Sequence, residues 1–519
     1  MSSRLLSRRA AAGLAVAVTT LAAGCGGESG NADVDPASVL PANAPVYVEV
    51  TVRPDGDLKA NVEAAARKVL RTDDPGGAII KAFDKAIADE TDKKNFKDDI
   101  DPWLGNKIGV AITSLRNVQE PDFALAIASK DNDKAIESLE DKNTSEAEYE
   151  GVKYLKQKSD GTVAGPVGDT IVIGTEAAFK SAVDAEKGDR QLDDSKGLQD
   201  ARKGISEDEA LGFVYVDLAQ GLAALSASQP LIASQLDPLK KLLGGASTLS
   251  AAIAVADDAI RVETAQIGGP AGAVTGDPAK TLASLPAGTV LGLGLGEVGA
   301  ALKQGIDQIA SVGPIAGQDP QALLSGLETQ LGLSVEKDLL SWMGEGAVFV
   351  RGKSVADIGG GLLVRSTDPA TTKKTLAKLP GLLRQFGAPV TAKAPDGAEA
   401  GFRVPLQSGG GIELLVGLRD DRFVIGVGPG LVKQTLEASA GGRLGDDAAF
   451  KAAAAKLGDG IQPSFYLDLP TVVNFLALAV GSDADFAKAK PYLDAFTAVV
   501  AGGKRDGDTN RFRIVLGLK

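Results

Sequence analysis

Apolar residues fall along the chain in three patterns, and each predicts a different kind of element. The first is a continuous run from Ala10 to Ala23 behind Arg4, Arg8 and Arg9. A basic start followed by an apolar stretch too short to span a bilayer as a mature helix is the layout of an export signal. The second pattern is a short run rich in Val, Ile and Ala and bounded by Gly, Pro or Asp. Val46 to Val50, Phe123 to Ala128, Gly360 to Val364 and Ala251 to Ala256 are examples, and they predict strands. The third is apolar spacing of three and four, as in Asn61 to Leu70, Ala78 to Ile87, Asp133 to Leu139 and Pro369 to Leu379, which predicts helices. Hairpins are expected around Gly168-Asp169 and Asp420-Asp421, where two such runs flank a tight turn.

These patterns occur twice. Asp35-Pro36-Ala37, Leu40-Pro41-Ala42 and the strand at Val46 match Asp277-Pro278-Ala279, Leu285-Pro286-Ala287 and Thr289-Val290-Leu291. Pro102-Trp103-Leu104-Gly105 matches Ser341-Trp342-Met343-Gly344, and Asp169-Thr170-Ile171-Val172 matches Asp421-Arg422-Phe423-Val424. Val214-Tyr215-Val216-Asp217 matches Phe465-Tyr466-Leu467-Asp468, so four matches keep one order at offsets of 239 to 252 residues. Helices interleaved with hairpins predict an α+β fold. The expectation is an internal duplication of a mainly antiparallel sheet unit with helices packed on one face, giving two similar halves. The halves are read as residues 35–270 and 271–519, behind a signal at 1–24 and a Gly-rich tether at 25–34.

The order of Leu-Pro-Ala before a Val-rich strand, the Pro-Trp-Leu-Gly turn and the Asp hairpin resembles the family of domain of unknown function 3352. The resemblance runs from about Asp35 onward. It implies an actinobacterial envelope protein behind a signal or anchor, and it brings no established activity and no catalytic residues. A second resemblance lies at the end of the signal. Leu21-Ala22-Ala23-Gly24-Cys25 is similar to the lipobox of bacterial lipoproteins, which usually has Leu three places before the Cys; here Ala22 holds that place and Leu21 sits one earlier. It implies cleavage before Cys25 and a diacylglycerol on its thiol. Cys25 is the only cysteine, so an intramolecular disulfide is excluded. The Ser7-Arg8-Arg9 stretch leaves Sec and twin-arginine export both open.

Composition narrows the partners. The chain carries a net charge of −13, and loss of residues 1–24 with their three arginines makes it −16. An acidic surface repels phosphate backbones, so nucleic acid is not an expected partner. There are no histidines, which excludes Ser-His-Asp and Cys-His mechanisms and His-ligated metal. No catalytic, cofactor-binding or metal-ligating residue is therefore assigned, and Cys25 stands as the one lipidation site.

Four features invite chemistry and have plainer readings. Gly294-Leu295-Gly296-Glu297-Val298-Gly299 fits a dinucleotide fingerprint, but no acidic strand end follows at the required distance, so close strand–helix packing explains the glycines. The paired acids Asp193-Asp194 and Asp446-Asp447, with Asp217 and Asp468, precede helices and read as caps. The denser Asp98, Asp99, Asp101 group lacks a calcium-loop pattern. Trp103 and Trp342 read as core anchors. The expected function is a non-enzymatic binding or scaffolding lipoprotein on the extracytoplasmic face of the cell membrane. One alternative is a carrier of a lipid or other hydrophobic ligand in the seam between repeats, suggested by the apolar stretch from Leu222 to Leu243. Another is a His-independent hydrolase built on Ser and Lys.

Overall fold

The computed structural model describes residues 33–78, 80–81, 96–115, 120–206, 210–228, 245–269, 276–311, 320–354, 356–406, 411–439, 441–458, 460–481 and 483–519. Cys25, the apolar run before it, most of the tether and much of the Leu222 to Leu243 stretch lie outside the described residues. The chain divides into two compact units. Unit 1 holds residues up to 271 with 505–513 and 518–519, and unit 2 holds 272–504 with 514–517.

In unit 1 every strand pairing is antiparallel. The strands are β1 (Val46–Thr51), β2 (Leu104–Ser114), β3 (Asp122–Ser129), β4 (Thr144–Tyr149), β5 (Val152–Gln157), β6 (Val163–Val167), β7 (Thr170–Gly174), β8 (Gly212–Asp217), β9 (Ala246–Ala256) and β10 (Ala259–Gly268). Pairing runs β10, β9, β8, β1, β2, β3, β7, β6, β5, β4. The β4–β5 hairpin is absent from the sequence reading. Its strands are charged, with Glu148 facing Lys153 across the pair, and its turn is made by Glu150 and Gly151 at φ of 52° and 82°. A charged edge strand hides from an apolar pattern and also resists pairing with other chains.

Unit 2 is built from β11 (Thr289–Glu297), β12 (Met343–Arg351), β13 (Gly359–Ser366), β14 (Ala400–Pro405), β15 (Glu413–Arg419), β16 (Arg422–Val427), β17 (Gln462–Asp468) and β18 (Phe496–Asp506). Its antiparallel pairing runs β18, β17, β11, β12, β13, β16, β15, β14. The last strand, β19 (Thr509–Leu518), pairs with β10, and its residues 509–513 count with unit 1.

The fold is α+β, with helices on both faces of the unit 1 sheet rather than one. Alternation along β9 explains this, because successive side chains point to opposite faces. Ala252 joins a core under the helices Glu176–Lys187 and Lys196–Gly204, with Phe179, Leu198 and Tyr215 buried beside it. Val255, of opposite parity, meets Leu58 and Val62 from the helix Gly56–Leu70. A third cluster lines the far side of β2, β3 and β7 around Trp103, Ile127 and Ile171. In unit 2 the comparable cluster gathers Trp342, Leu376, Phe402, Leu418 and Phe423.

Candidate functional site

The acids singled out in the sequence are spread over helix starts rather than gathered at one place. Asp468 accepts from Thr471 N (3.3 Å), and two acids that the sequence showed only as part of the repeat act likewise, Asp35 accepting from Ala37 N (2.9 Å) and Asp277 from Lys280 N (2.9 Å). Asp217 accepts from Gln220 N at 2.8 Å. Asp447 caps the helix Ala448–Ala455 by accepting from Ala449 N and Phe450 N. The matching helix of unit 1, Lys196–Gly204, is capped by Ser195, which accepts from Leu198 N at 3.3 Å. The expected cap from Asp193-Asp194 is thus displaced by one residue. The register shows why: Leu192 N donates to Leu40 O as Leu444 N donates to Leu285 O, which aligns Ser195 with Asp447.

Asp101 is engaged by Arg53, whose guanidinium also donates to its carbonyl at 2.8 Å. Among the described residues no group of three or more acids could hold a metal ion. Both tryptophans are core anchors, 5% and 2% exposed, and each indole donates 2.8 Å to a carbonyl four residues earlier, Asp99 O and Asp338 O. The glycine motif serves close packing. A Cβ on Gly294 would stand 2.1 Å from Pro278 O, and one on Gly299 2.2 Å from Leu340 O. Antiparallel pairing of β11 with both β12 and β17 excludes the parallel unit a dinucleotide needs.

Unit 1 assembles a charged cluster around Asp35, near the first of the described residues. Arg202, on the helix Lys196–Gly204, donates to Asp35 Oδ2 (2.7 Å) and to Glu49 Oε2 (2.9 Å). Glu49 also accepts from Tyr47 Oη at 2.8 Å and lies 3.4 Å from Lys107 Nζ. Burial pushes the Asp35 carboxyl up, but the hydrogen bond and charge of Arg202 outweigh it and leave the group below its ordinary value. Burial, and then the charges of Glu49 and Asp35, hold the Tyr47 phenol well above its own. Burial likewise raises Asp193, helped by the charges of Asp35 and Asp194. Four segments of chain are tied by one guanidinium and one carboxylate. Such a cluster fixes position, and its hydrogen-bonding capacity is largely spent within it.

Unit 2 fills the corresponding space differently. Tyr47 faces Tyr215 and Ala111 across its neighbours; Gly292 faces Tyr466 and Phe349. A Cβ on Gly292 would meet Leu282 Cδ1 at 2.6 Å, so the helix Pro278–Ala283 occupies what the tyrosine occupies in unit 1.

A second unit 1 network centres on a buried ion pair. Glu263, 0% exposed, accepts from Ser206 N (2.9 Å), from Ser206 Oγ (2.7 Å) and from Arg513, itself 3% exposed. Burying this charge is tolerable because every carboxylate oxygen is engaged. Neither Glu49 nor Glu263 was singled out in the sequence. The available signal was a lone acid inside an apolar strand, Val48-Glu49-Val50 and Val262-Glu263-Thr264.

The profile of a family described as a protein of unknown function (DUF3352) matches residues 9–518. No curated protein matches. Among solved structures, crystal forms I, III and IV of TP0453 are similar at 12%, 14% and 13% identity and TM-scores of 0.26, 0.24 and 0.24. They cover 47%, 46% and 46% of this chain and 82%, 82% and 81% of their own.

Proposed function

The chain belongs to the DUF3352 family, and from the apolar run that leads to Cys25 we propose that it is a lipoprotein held through that residue on the extracytoplasmic face of a membrane, with a non-enzymatic body that binds or scaffolds. One observation carries the reading. A signal-like apolar run ends at the chain's only cysteine, and ten residues later, at Asp35, the body is clamped by Arg202. A tether of that length reaches roughly 35 Å when extended, at about 3.5 Å per residue. The lipid therefore keeps the body close to the bilayer, and the Asp35–Arg202–Glu49 cluster takes up any pull on the tether. The conspicuous acids have structural uses. Asp35, Asp277, Asp447 and Asp468 cap helices, and Asp101 pairs with Arg53, so these carboxylates serve the fold.

The test is Cys25→Ala in the native host, followed by membrane fractionation and metabolic labelling with a palmitate analogue. The wild type should label and sediment with membranes, and the variant should do neither. A variant that stays membrane-bound would overturn the anchoring.

A further inference from the structure

One rung of the unit 2 sheet carries three arginines side by side. Arg365 on β13 faces Arg422 on β16, and Arg422 faces Arg419 on β15. Directly opposed side chains share a face with Cβ atoms about 4.5–5.5 Å apart, and like charges so placed destabilise a sheet. The rung at the same pairing positions in unit 1 reads Ala128, Thr170 and Val167. A fourth arginine joins from the following loop. Arg443 bridges to Pro286, where the equivalent bridge of unit 1, at Pro41, uses Gln191. The architecture is therefore built in unit 1 without any of these charges, and unit 2 concentrates four of them in a chain of net charge −13.

The four arginines line an open cleft of about 510 Å³, together with Asp420, Asp421 and Glu437. Two of the charges are answered. Arg365 donates to Asp421 Oδ2 at 2.6 Å, and Arg419 to Glu437 Oε1 at 3.2 Å. Two are not. Arg422, only 8% exposed, donates to the carbonyls of Ala438 (3.1 Å) and Ser284 (3.0 Å). Arg443 donates through Nε to Ala438 O at 3.3 Å. Neither has a carboxylate partner among the described residues. The Nε–H groups of Arg365 and Arg422 are buried without any acceptor. A buried donor left unpaired costs about 1–3 kcal/mol, so such groups call for an explanation. Burial, and then the charges of Arg365 and Arg443, press the Arg422 guanidinium down to about 10, which still leaves it charged at neutral pH.

We propose that this cleft binds a phosphate group, presented free or on the headgroup of a phospholipid. Guanidinium forks arriving from different strands need an acceptor with several oxygens in three dimensions. A tetrahedral oxyanion meets that need, whereas the two coplanar oxygens of a carboxylate fill a single fork. The anion accepts from Arg443 and from the guanidinium edges of Arg365 and Arg419 that line the cleft, while the buried Arg422 adds its charge from behind, and it relieves the repulsion along the rung. It fits in a body that the lipid anchor would hold near a bilayer, but the site stands independently of that anchor.

The experiment is thermal unfolding of the full chain at constant ionic strength, with inorganic phosphate, glycerophosphoglycerol or acetate exchanged for chloride. A saturable rise in melting temperature with phosphate assigns the site to a free ion. A rise with glycerophosphoglycerol alone assigns it to a headgroup phosphodiester. Arg443→Gln and Arg422→Thr, which install the residues of the equivalent unit 1 bridge and rung positions, should weaken the midpoint by about tenfold or more, the equivalent of one lost charge-assisted contact. Lys488→Gln, a charge removed elsewhere on unit 2, should leave it unchanged. The proposal is overturned if neither phosphate compound stabilises beyond acetate, or if Lys488→Gln weakens the effect as much as Arg443→Gln. Arg443 is the safer variant, because its removal leaves the buried Arg422 hydrogen bonds in place.

Discussion

Glu176 shows how much one side chain can depend on pH. It accepts from Tyr154 Oη (2.9 Å) and Lys156 Nζ (2.5 Å), with Lys180 Nζ 2.9 Å away. The hydrogen bonds of Lys156 and then Lys180 and Tyr154, against a smaller opposing effect of burial, lower its pKa from 4.5 to about 2. A carboxylate depressed by folding stabilises the native state fully above its unfolded pKa, and that contribution is lost as pH falls toward the folded value. Glu176→Gln should therefore be less stable than wild type at pH 6, with the gap closing from pH 4.5 downward and gone near pH 2. Denaturant unfolding at stepped pH checks this, and a gap independent of pH would refute it. At this scale the sequence was legible where chemistry is local. Asp217, Asp447 and Asp468 cap the helices they precede, because a cap needs only a short polar side chain and the next turn. It was less legible where register decides, as at Ser195, and where the partner is distant, as for Glu263 and Arg513, which are 250 residues apart.

Glycine separates two roles at the scale of elements. Gly294 sits where the strand touches the backbone of Pro278, and Gly305 lies in the helix Val298–Ser311 with nothing within 4 Å of an added Cβ. Gly305→Ala should stabilise by about 0.5–1 kcal/mol through helix propensity. Gly294→Ala should destabilise by about 1–3 kcal/mol, because a backbone oxygen 2.1 Å away has to move. Urea unfolding of both variants reads the contrast, and equal effects would remove the packing argument. Most strands and helices were visible as periodicity: β6 and β7, the hairpin at Asp420-Asp421 and the helix Asn132–Leu139 all arise from runs that the pattern marks. The β4–β5 hairpin was hidden by its charges. The second helical layer was missed because β9 is buried on the face of Ala252 and only partly covered on the face of Val255, and alternation does not tell a partly covered face from an open one.

Periodicity carries no information about which strand pairs with which, and this sets the limit at the scale of the whole molecule. Residues 505–513 read as part of the second repeat, yet they count with unit 1. There Gly268 N donates to Asp508 O (3.0 Å), Arg511 Nε donates to Gly204 O (2.7 Å) and Arg513 reaches Glu263. Truncation after Lys504 should therefore damage the unit that lies furthest from it in sequence. Removing one partner of a buried pair costs about 3–5 kcal/mol, so Arg513→Met should reproduce most of the loss. Hydrogen exchange at β9 and β10 should accelerate in both variants; unchanged protection there would show that unit 1 stands without its last strand. Glu263 and Arg513 are also separated in time. A ribosome adding roughly 5–20 residues per second makes the glutamate roughly 10–50 s before the arginine that neutralises it. Throughout that interval the N-terminal unit cannot close its core around the charge. The half of the protein that is synthesised first is thus completed late, and its folding waits for residues 505–513.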